Sequence, residues 1–267
     1  MFYISDMLDI FLVQMEVAPN DKAKNFETVR RVTADIQCDG KVGGLIVLPE
    51  MFATGYLPLH PESAAEDFSS RDSGETANFL SDLANRTGYS VLGAGIAIRD
   101  GKLLNHSSVF QPGNPNEFAG YDKRHPFFME QPKFAAGTDV NLFKISHWKV
   151  AATICFDLRF PELYRDAVKA GAKLITVQAA WPAVRIEHWK TLLQARAIED
   201  QVYIAAVNCT GHTYGGRSMI ISPQGEIMEM ADENSSVLVK TRIFSVPQQE
   251  YRQKFPVLNG IVQTGLI

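Results

Sequence analysis

The sequence predicts an α/β fold of the layered α+β kind, built as a single domain over residues 1–267. Three observations predict it. Short apolar runs of strand length alternate with longer segments of helical period, hairpin turn signals interrupt that alternation, and no linker, low-complexity tract, short repeat or change of composition divides the chain. Strands buried on both faces read as continuous apolar runs, so a mixed sheet arrangement covered by helices follows.

Taken in order, residues 9–15 form the first strand, and residues 20–38 follow as a helix with Phe26, Val29 and Ile36 on one face. GGLIVLPE, residues 43–50, is a second buried strand ending in a proline and a glutamate. It opens into a loop that reaches residue 72, the kind of connection in which function often sits. SGETANFLSDLANRTG is a helix with Ser73 as its N-cap and Gly88 as its stop. VLGAGIAI and NHSSVFQ are strands joined through RDGK, whose Asp-Gly pair signals a hairpin. Residues 150–154 make a short buried strand, and Pro161 stands in the first turn of a helix that runs to residue 170. The strand LITVQAA, a long helix over residues 184–200, the strand VYIAAVN and a hairpin in RSMIISPQGEIMEM, turning at Pro-Gln-Gly, complete the pattern.

Composition narrows the function. With 46% hydrophobic and 21% charged residues the chain is globular, and a net charge of −4 excludes a broad basic footprint for nucleic acid. The opening MFYISDMLDIFLVQM lacks a basic leader and is interrupted by Asp6 and Asp9, and no window reaches the roughly 20 apolar residues of a membrane span. A soluble, cytoplasmic protein is expected. Cys38, Cys155 and Cys209 are odd in number and far apart, which fits neither a disulfide framework nor a structural zinc site. His125, His188 and His212 lack metal-ligand spacing, and GHTYGGRS lacks the Lys-Ser/Thr pair of a phosphate loop. No metal and no cofactor is expected.

The stretch VAATICFDLRFPELYRDA puts Cys155 where an apolar strand gives way to a helix. At such a corner, unpaired N–H groups and the helix end favour a thiolate. A small buried core thiol is the commoner fate of a free cysteine, and both readings stand on the residues alone. Glu50 and Lys123 also end strand-like segments. Each by itself reads as a solvated surface charge. Together, an acid, a lysine and a corner amide supply what thiol attack on a carbonyl needs: a base for the proton, and positive charge and N–H donors for the oxyanion.

LVQMEV, LPEMFATGY, YDKRHPF, ICFDLRFPELYR, HWKTLLQARAIEDQVYIAAVN and GGRSMIISPQGEI follow one another over nearly the whole chain, and in that order they resemble the nitrilase superfamily of carbon–nitrogen hydrolases. Within it, CFDLRFPELYR and AAWPAVRIEHWKTLLQARAIEDQ are most similar to the omega-amidases. The resemblance implies a four-layer α-β-β-α sandwich and a homodimer, to which the apolar C-terminal FPVLNGIVQTGLI is a candidate contributor. It makes Glu50 the general base, Lys123 the oxyanion-stabilising lysine and Cys155 the nucleophile, with the backbone N–H of Phe156 beside Lys123. Glu130, seven residues before Gly137, matches the second glutamate that orients the lysine and the substrate amide. The implied reaction hydrolyses the omega-amide of a short dicarboxylic acid monoamide, such as 2-oxoglutaramate or succinamate, through a thioester. An N-carbamoyl amino acid amidohydrolase and a non-catalytic interaction protein on the same fold are the alternatives. Arg185 is expected to anchor the distal carboxylate, Trp181 to line the core or the pocket wall, and Cys209 to approach that pocket. Arg159 is a second candidate for the substrate, against a role in bracing the nucleophile corner through Glu162 or Asp157.

Overall fold

The computed structural model describes residues 6–263, and the side-chain surroundings of residues 6–260. Alternation along the first strand decides the layering. In β1 (Met7–Glu16), Leu8, Ile10 and Leu12 turn to one core while Val13 and Met15 turn to another. Helix α1 (Lys22–Val32) comes next, then β2 (Gly43–Val47), the single turn α2 (Pro61–Ala64), α3 (Glu75–Thr87), β3 (Ser90–Arg99), β4 (Lys102–Phe110) and β5 (Ala119–Asp122). They are followed by β6 (Leu142–Ile145), β7 (Trp148–Ile154), α4 (Pro161–Lys169), β8 (Leu174–Ala179), α5 (Ile186–Asp200), β9 (Tyr203–Thr210), β10 (Met219–Ile221) and β11 (Ile227–Met230). The chain closes with β12 (Val237–Phe244), α6 (Ser245–Lys254) and α7 (Val257–Gln263).

The strands form two sheets on one plan. The first runs β12-β1-β2-β3-β4-β5 and the second β6-β7-β8-β9-β10-β11. In each, three central strands are parallel and their neighbours on both sides are antiparallel. Helix α1 and then α2 with α3 make the crossovers between the parallel strands of the first sheet, and α4 and α5 those of the second. Phe26 and Val29 of α1 and Leu80 and Leu83 of α3 pack with Val13, Met15, Ile46 and Val91 on one face of the first sheet. Its other face, with Leu8, Ile10, Leu12, Leu45, Val47 and Leu92, shares a core with the second sheet and with Leu163, Trp189 and Leu193 of α4 and α5. The result is the α-β-β-α sandwich, closed along one edge where Met15 and Glu16 pair in parallel with Cys209 and Thr210. No helix among the described residues is long and apolar enough to cross a membrane.

Several elements differ from the sequence expectation for local reasons. Helix α1 stops at Val32 instead of residue 38, and Ile36 reaches the core from the following loop. Its cap is Asp21, which accepts from the Lys24 N–H at 3.0 Å. Ser73 is not a cap either: Gly74 holds that position, and the carboxylate of Glu66 accepts the Thr76 N–H at 2.7 Å from outside the helix. Both hairpins turn where expected, with Asp100 and Gly101 at φ 52° and 73°. The long helix starts at Ile186 after a 3-10 turn over Ala183–Arg185. The first five residues of MFYISDMLDIFLVQM and the last four of FPVLNGIVQTGLI lie outside the described residues.

Candidate active site

The functional side chains sit at strand ends, where backbone polar groups are released from the ladders. β2 stops at Val47, the Leu48 N–H keeps one bond to the Leu92 carbonyl of β3 at 2.9 Å, Pro49 and Glu50 then turn out of the sheet, and Met51 completes the turn at φ 49°. Cys155 follows the last residue of β7 and is itself left-handed, at φ 47°. A non-glycine residue held there costs about 1–3 kcal/mol and persists only when its surroundings over-determine it. The surroundings here are the buried carboxylate of Asp157. Its Oδ2 accepts the Ile154 N–H at 3.0 Å and the Tyr121 hydroxyl at 2.7 Å, and its Oδ1 accepts the His125 N–H at 2.9 Å.

Lys123 follows β5, and its Nζ lies 2.8 Å from Glu50 Oε1 and 2.7 Å from Glu130 Oε2. All three side chains are buried, at 0–1% exposure, so each charge depends on the others. Glu130 belongs to a loop folded back against β4 and β5. The Ala135 N–H donates to the Leu103 carbonyl at 2.8 Å and the Gly137 N–H to the Lys123 carbonyl at 2.9 Å. Gly137 is required for that approach, since a Cβ there would stand 2.1 Å from the Asp122 carbonyl oxygen. The second sheet meets this cluster through the Ala180 N–H, which donates to Glu50 Oε2 at 3.0 Å. Below it, Gln178 of β8 donates to the Leu48 carbonyl at 2.7 Å and also accepts the Ser107 hydroxyl.

Electrostatics in this dry cluster follow from burial and neighbours. Burial opposes the charge on Lys123, and Glu50, Cys155 and Glu130 overcome it, so its pKa is raised and the ammonium is kept. Burial pushes the Cys155 thiol well above its usual range, and Glu50 pushes it further. This runs against the expectation of a thiolate favoured by the corner: burial beside Glu50 favours the thiol.

Cys155 opens on a cavity of about 340 Å³ lined also by Tyr56, Phe156, Arg159, Trp181, Arg185 and Tyr214. The two arginines are half-buried, and among the described residues neither pairs with a carboxylate. Bracing by Arg159 through Glu162 or Asp157 is thereby overturned. A 3-10 turn over Cys155–Arg159 carries its guanidinium over the Trp181 ring, at 4.9 Å, and within 3.4 Å of His188 Nδ1, while Asp157 is committed to Tyr121, His125 and Ile154. Burial, and then Arg185, lower the Arg159 pKa, which records two like charges sharing one space. Trp181 is a wall of the cavity, fixed by its backbone N–H on Asn208 Oδ1 at 2.7 Å and its ring N–H on the Arg185 carbonyl at 2.8 Å. Cys209 is buried and feels Glu50 but does not line the cavity. His125 stacks on Phe160 at 3.7 Å. No set of three or more His, Cys, Asp or Glu suited to a metal ion occurs among the described residues.

The structure therefore brings Glu50, Lys123, Glu130 and Cys155 to one point, with Phe156, Arg159, Trp181 and Arg185 around the adjoining cavity. Sequence reasoning missed Asn105 and Gln178 and gave Asp157 only as a partner for Arg159; all three are buried polar residues whose side chains bond into the site. Their signal was a polar residue inside or just beyond an apolar strand, in NHSSVFQ, ICFDLR and LITVQAA.

Known proteins are similar to this chain over most of its length. The 2-oxoglutaramate amidase of Bacillus subtilis is 29% identical over 244 residues, which cover 89% of this chain and 92% of that protein. A protein of Escherichia coli called omega-amidase YafV is 34% identical over 230 residues, covering 83% and 86%. The solved structure of XC1258 from Xanthomonas campestris, described as a CN-hydrolase superfamily protein with an arsenic adduct in its active site, superposes with a TM-score of 0.87 at 29% identity, over 98% of this chain and 99% of that one. Residues 10–252, which span both sheets and all four clustered side chains, match the carbon-nitrogen hydrolase family, and the chain belongs to that family, the nitrilase superfamily that its motifs resemble.

Proposed function

We propose that the protein is an omega-amidase, which hydrolyses the terminal amide of a short dicarboxylic acid monoamide of the 2-oxoglutaramate or succinamate type to the acid and ammonia. The observation that carries this reading is one cavity holding a thiol beside a lysine–glutamate cluster together with two arginines free of carboxylate partners. Guanidinium binds carboxylate through paired N–H donors and is always charged, so Arg185 and Arg159 suit the distal end of such a substrate. The relatives called 2-oxoglutaramate amidase and omega-amidase support the same substrate class.

In the proposed cycle Glu50 takes the Cys155 proton as sulfur attacks the amide carbon. Lys123 and the Phe156 backbone N–H face the oxyanion, and Glu130 holds Lys123 in place. The C–N bond breaks, the nitrogen takes the proton from Glu50 and ammonia leaves a thioester. Glu50 then draws a proton from water, hydroxide adds to the thioester carbonyl, and the acid departs as the thiol is restored. The raised thiol pKa fits this order, because deprotonation coupled to attack needs no standing thiolate. The proposed location is the cytoplasm, where the three cysteines stay free thiols. The proposed working unit is a homodimer, for which the exposed Ile198, Met230 and Phe255 offer apolar surface. A monomer by light scattering at micromolar concentration overturns that last part.

Ammonia release across omega-amides, N-carbamoyl amino acids and nitriles tests the assignment. Omega-amides with a distal carboxylate are expected to lead, and Arg185→Ala to raise their KM about 10-fold or more while leaving neutral amides of equal length within about 2-fold. Preference for N-carbamoyl amino acids, or equal effects on both amides, overturns it.

A further inference from the structure

One buried neutral group touches both carboxylates of the cluster. Asn105 points in from β4, and its Nδ2 donates to Glu50 Oε1 at 2.8 Å and to Glu130 Oε1 at 2.7 Å. An amide nitrogen carries two hydrogens, so each carboxylate receives one. With Lys123 on the opposite side, the four groups close a ring: Glu50, Lys123, Glu130, Asn105 and back to Glu50. The amide orientation is fixed by its neighbours, since a half-turn would set its oxygen against two carboxylates. That oxygen has no partner among the described residues, so the side chain's bonds are the two to the carboxylates.

We propose that Asn105 is the positioning residue that keeps Glu50 and Glu130 ionised together around one ammonium, leaving Glu50 free to take the Cys155 proton. The inference rests on the reading of Glu50 as the base. Two carboxylates that share a dry site ordinarily settle with one of them protonated. A neutral donor bonded to both favours the charged forms and adds no charge of its own. The need is visible at Glu130, whose carboxyl is raised by burial and by Glu50 in spite of Lys123. The other titratable groups around the pair are Lys123, Cys155, Cys209, Tyr56 and Tyr214, all raised, so the acid side of any profile belongs to the carboxylates. His106, the next residue on β4, is held apart from the ring by Asp122 and Glu117.

The test compares wild type, Asn105→Ala, Asn105→Ser and Glu50→Gln. Two quantities are followed against pH: the rate of Cys155 alkylation by iodoacetamide without substrate, and kcat and KM for ammonia release. Asn105→Ala is expected to move the acidic limb of both profiles up by about one pH unit, which is a tenfold loss on that limb, with recovery toward wild type at higher pH. KM is expected to stay within about 2-fold, because the ring does not grip the distal end of the substrate. Asn105→Ser, which keeps one donor, moves the limb less in the same direction and decides the matter if the alanine variant does not fold. A wild-type limb, or a loss uniform across pH, overturns the positioning role. An alkylation profile unchanged in Glu50→Gln overturns the base itself, and Asn105's role with it.

Discussion

The two sheets repeat one plan, yet the ends of their matching strands carry different things. β2 and β8 each lie in the middle of three parallel strands, but β2 leads to Glu50 whereas β8 leads to Ala180 and Trp181. β1 and β7 are matched in the same way: β1 runs out at Glu16, and β7 delivers Cys155. The first sheet and its loops hold the ring of Glu50, Lys123, Glu130 and Asn105, while the second supplies the thiol, the tryptophan wall and both arginines. The difference teaches that neither half is a site. What makes one is a small set of bonds across the sandwich: the Ala180 N–H to Glu50, Gln178 to the Leu48 carbonyl, and the Tyr121 hydroxyl to Asp157.

The sharpest way to separate the halves is to remove the one reactive atom of the second. Cys155→Ala is expected to lower turnover by about 10⁵-fold or more while stability moves by about 1 kcal/mol or less, read by ammonia release and urea denaturation. Cys155→Gly is expected to be equally inactive yet more stable than the alanine variant by about 1 kcal/mol, because glycine takes a positive φ without strain. Substantial hydrolysis by Cys155→Ala would end the thioester scheme.

Breaking the first half has the larger structural effect. Lys123→Met leaves Glu50 and Glu130 buried without their cation, and about 3–5 kcal/mol of stability is expected to go with it at pH 8. The deficit shrinks as pH falls, since the orphaned carboxyls take up protons. A deficit independent of pH between 5 and 8 would show that the ammonium is not what holds them.

The bonds between halves should give an intermediate result. Gln178→Leu strands the Leu48 carbonyl and the Ser107 hydroxyl at the sheet interface, so a loss of about 1–3 kcal/mol is expected, with kcat falling more than KM. Equal changes in kcat and KM would mean that this clamp does not set the distance from thiol to base.

The smallest effect is confined to the first sheet. His106 is buried, which disfavours its charge, but Asp122 at 2.7 Å and Glu117 at 2.6 Å raise its pKa above the usual value. A pKa raised in the folded state contributes stability that is complete below about pH 6.5 and is lost as pH rises through the folded value. His106→Gln should flatten the dependence of stability on pH above 6.5, and an unchanged slope would dismiss the imidazolium.

Legibility in the sequence followed the same division. β7, β8 and β9 are continuous apolar runs and were readable, as was the hairpin closed by Asp100 and Gly101. β5, with four residues in AGYD, and β12, whose VLVKTRIF mixes charges into one half-exposed face, offered too little apolar period to stand out. SVPQQEYRQK of α6 hides a helix behind a proline in its first turn. Glu50, Lys123, Glu130 and Cys155 were legible only because motifs surround them, since nothing in their spacing foretells that they meet. Arg159 misled because Asp157 and Glu162 are its neighbours along the chain, whereas the 3-10 turn sends its side chain to Trp181. Asn105 was hidden within a readable strand, its two partners fixed by strand pairing and by the fold of the Glu130 loop.

The closed ring has a consequence for how the protein responds to salt. With both carboxylates ionised as proposed, two carboxylates and one ammonium give the buried cluster one surplus negative charge, and moving the Cys155 proton onto Glu50 relocates that charge to sulfur without changing the total. No ion has to cross between solvent and site for the proposed chemical step, so mobile ions have little hold on it. The half-buried arginines are different, because attraction to an arriving carboxylate is screened over a Debye length of about 8 Å at physiological ionic strength. On the proposed assignment, the ionic strength of the medium governs how often the cavity fills and leaves the pace of turnover inside it alone.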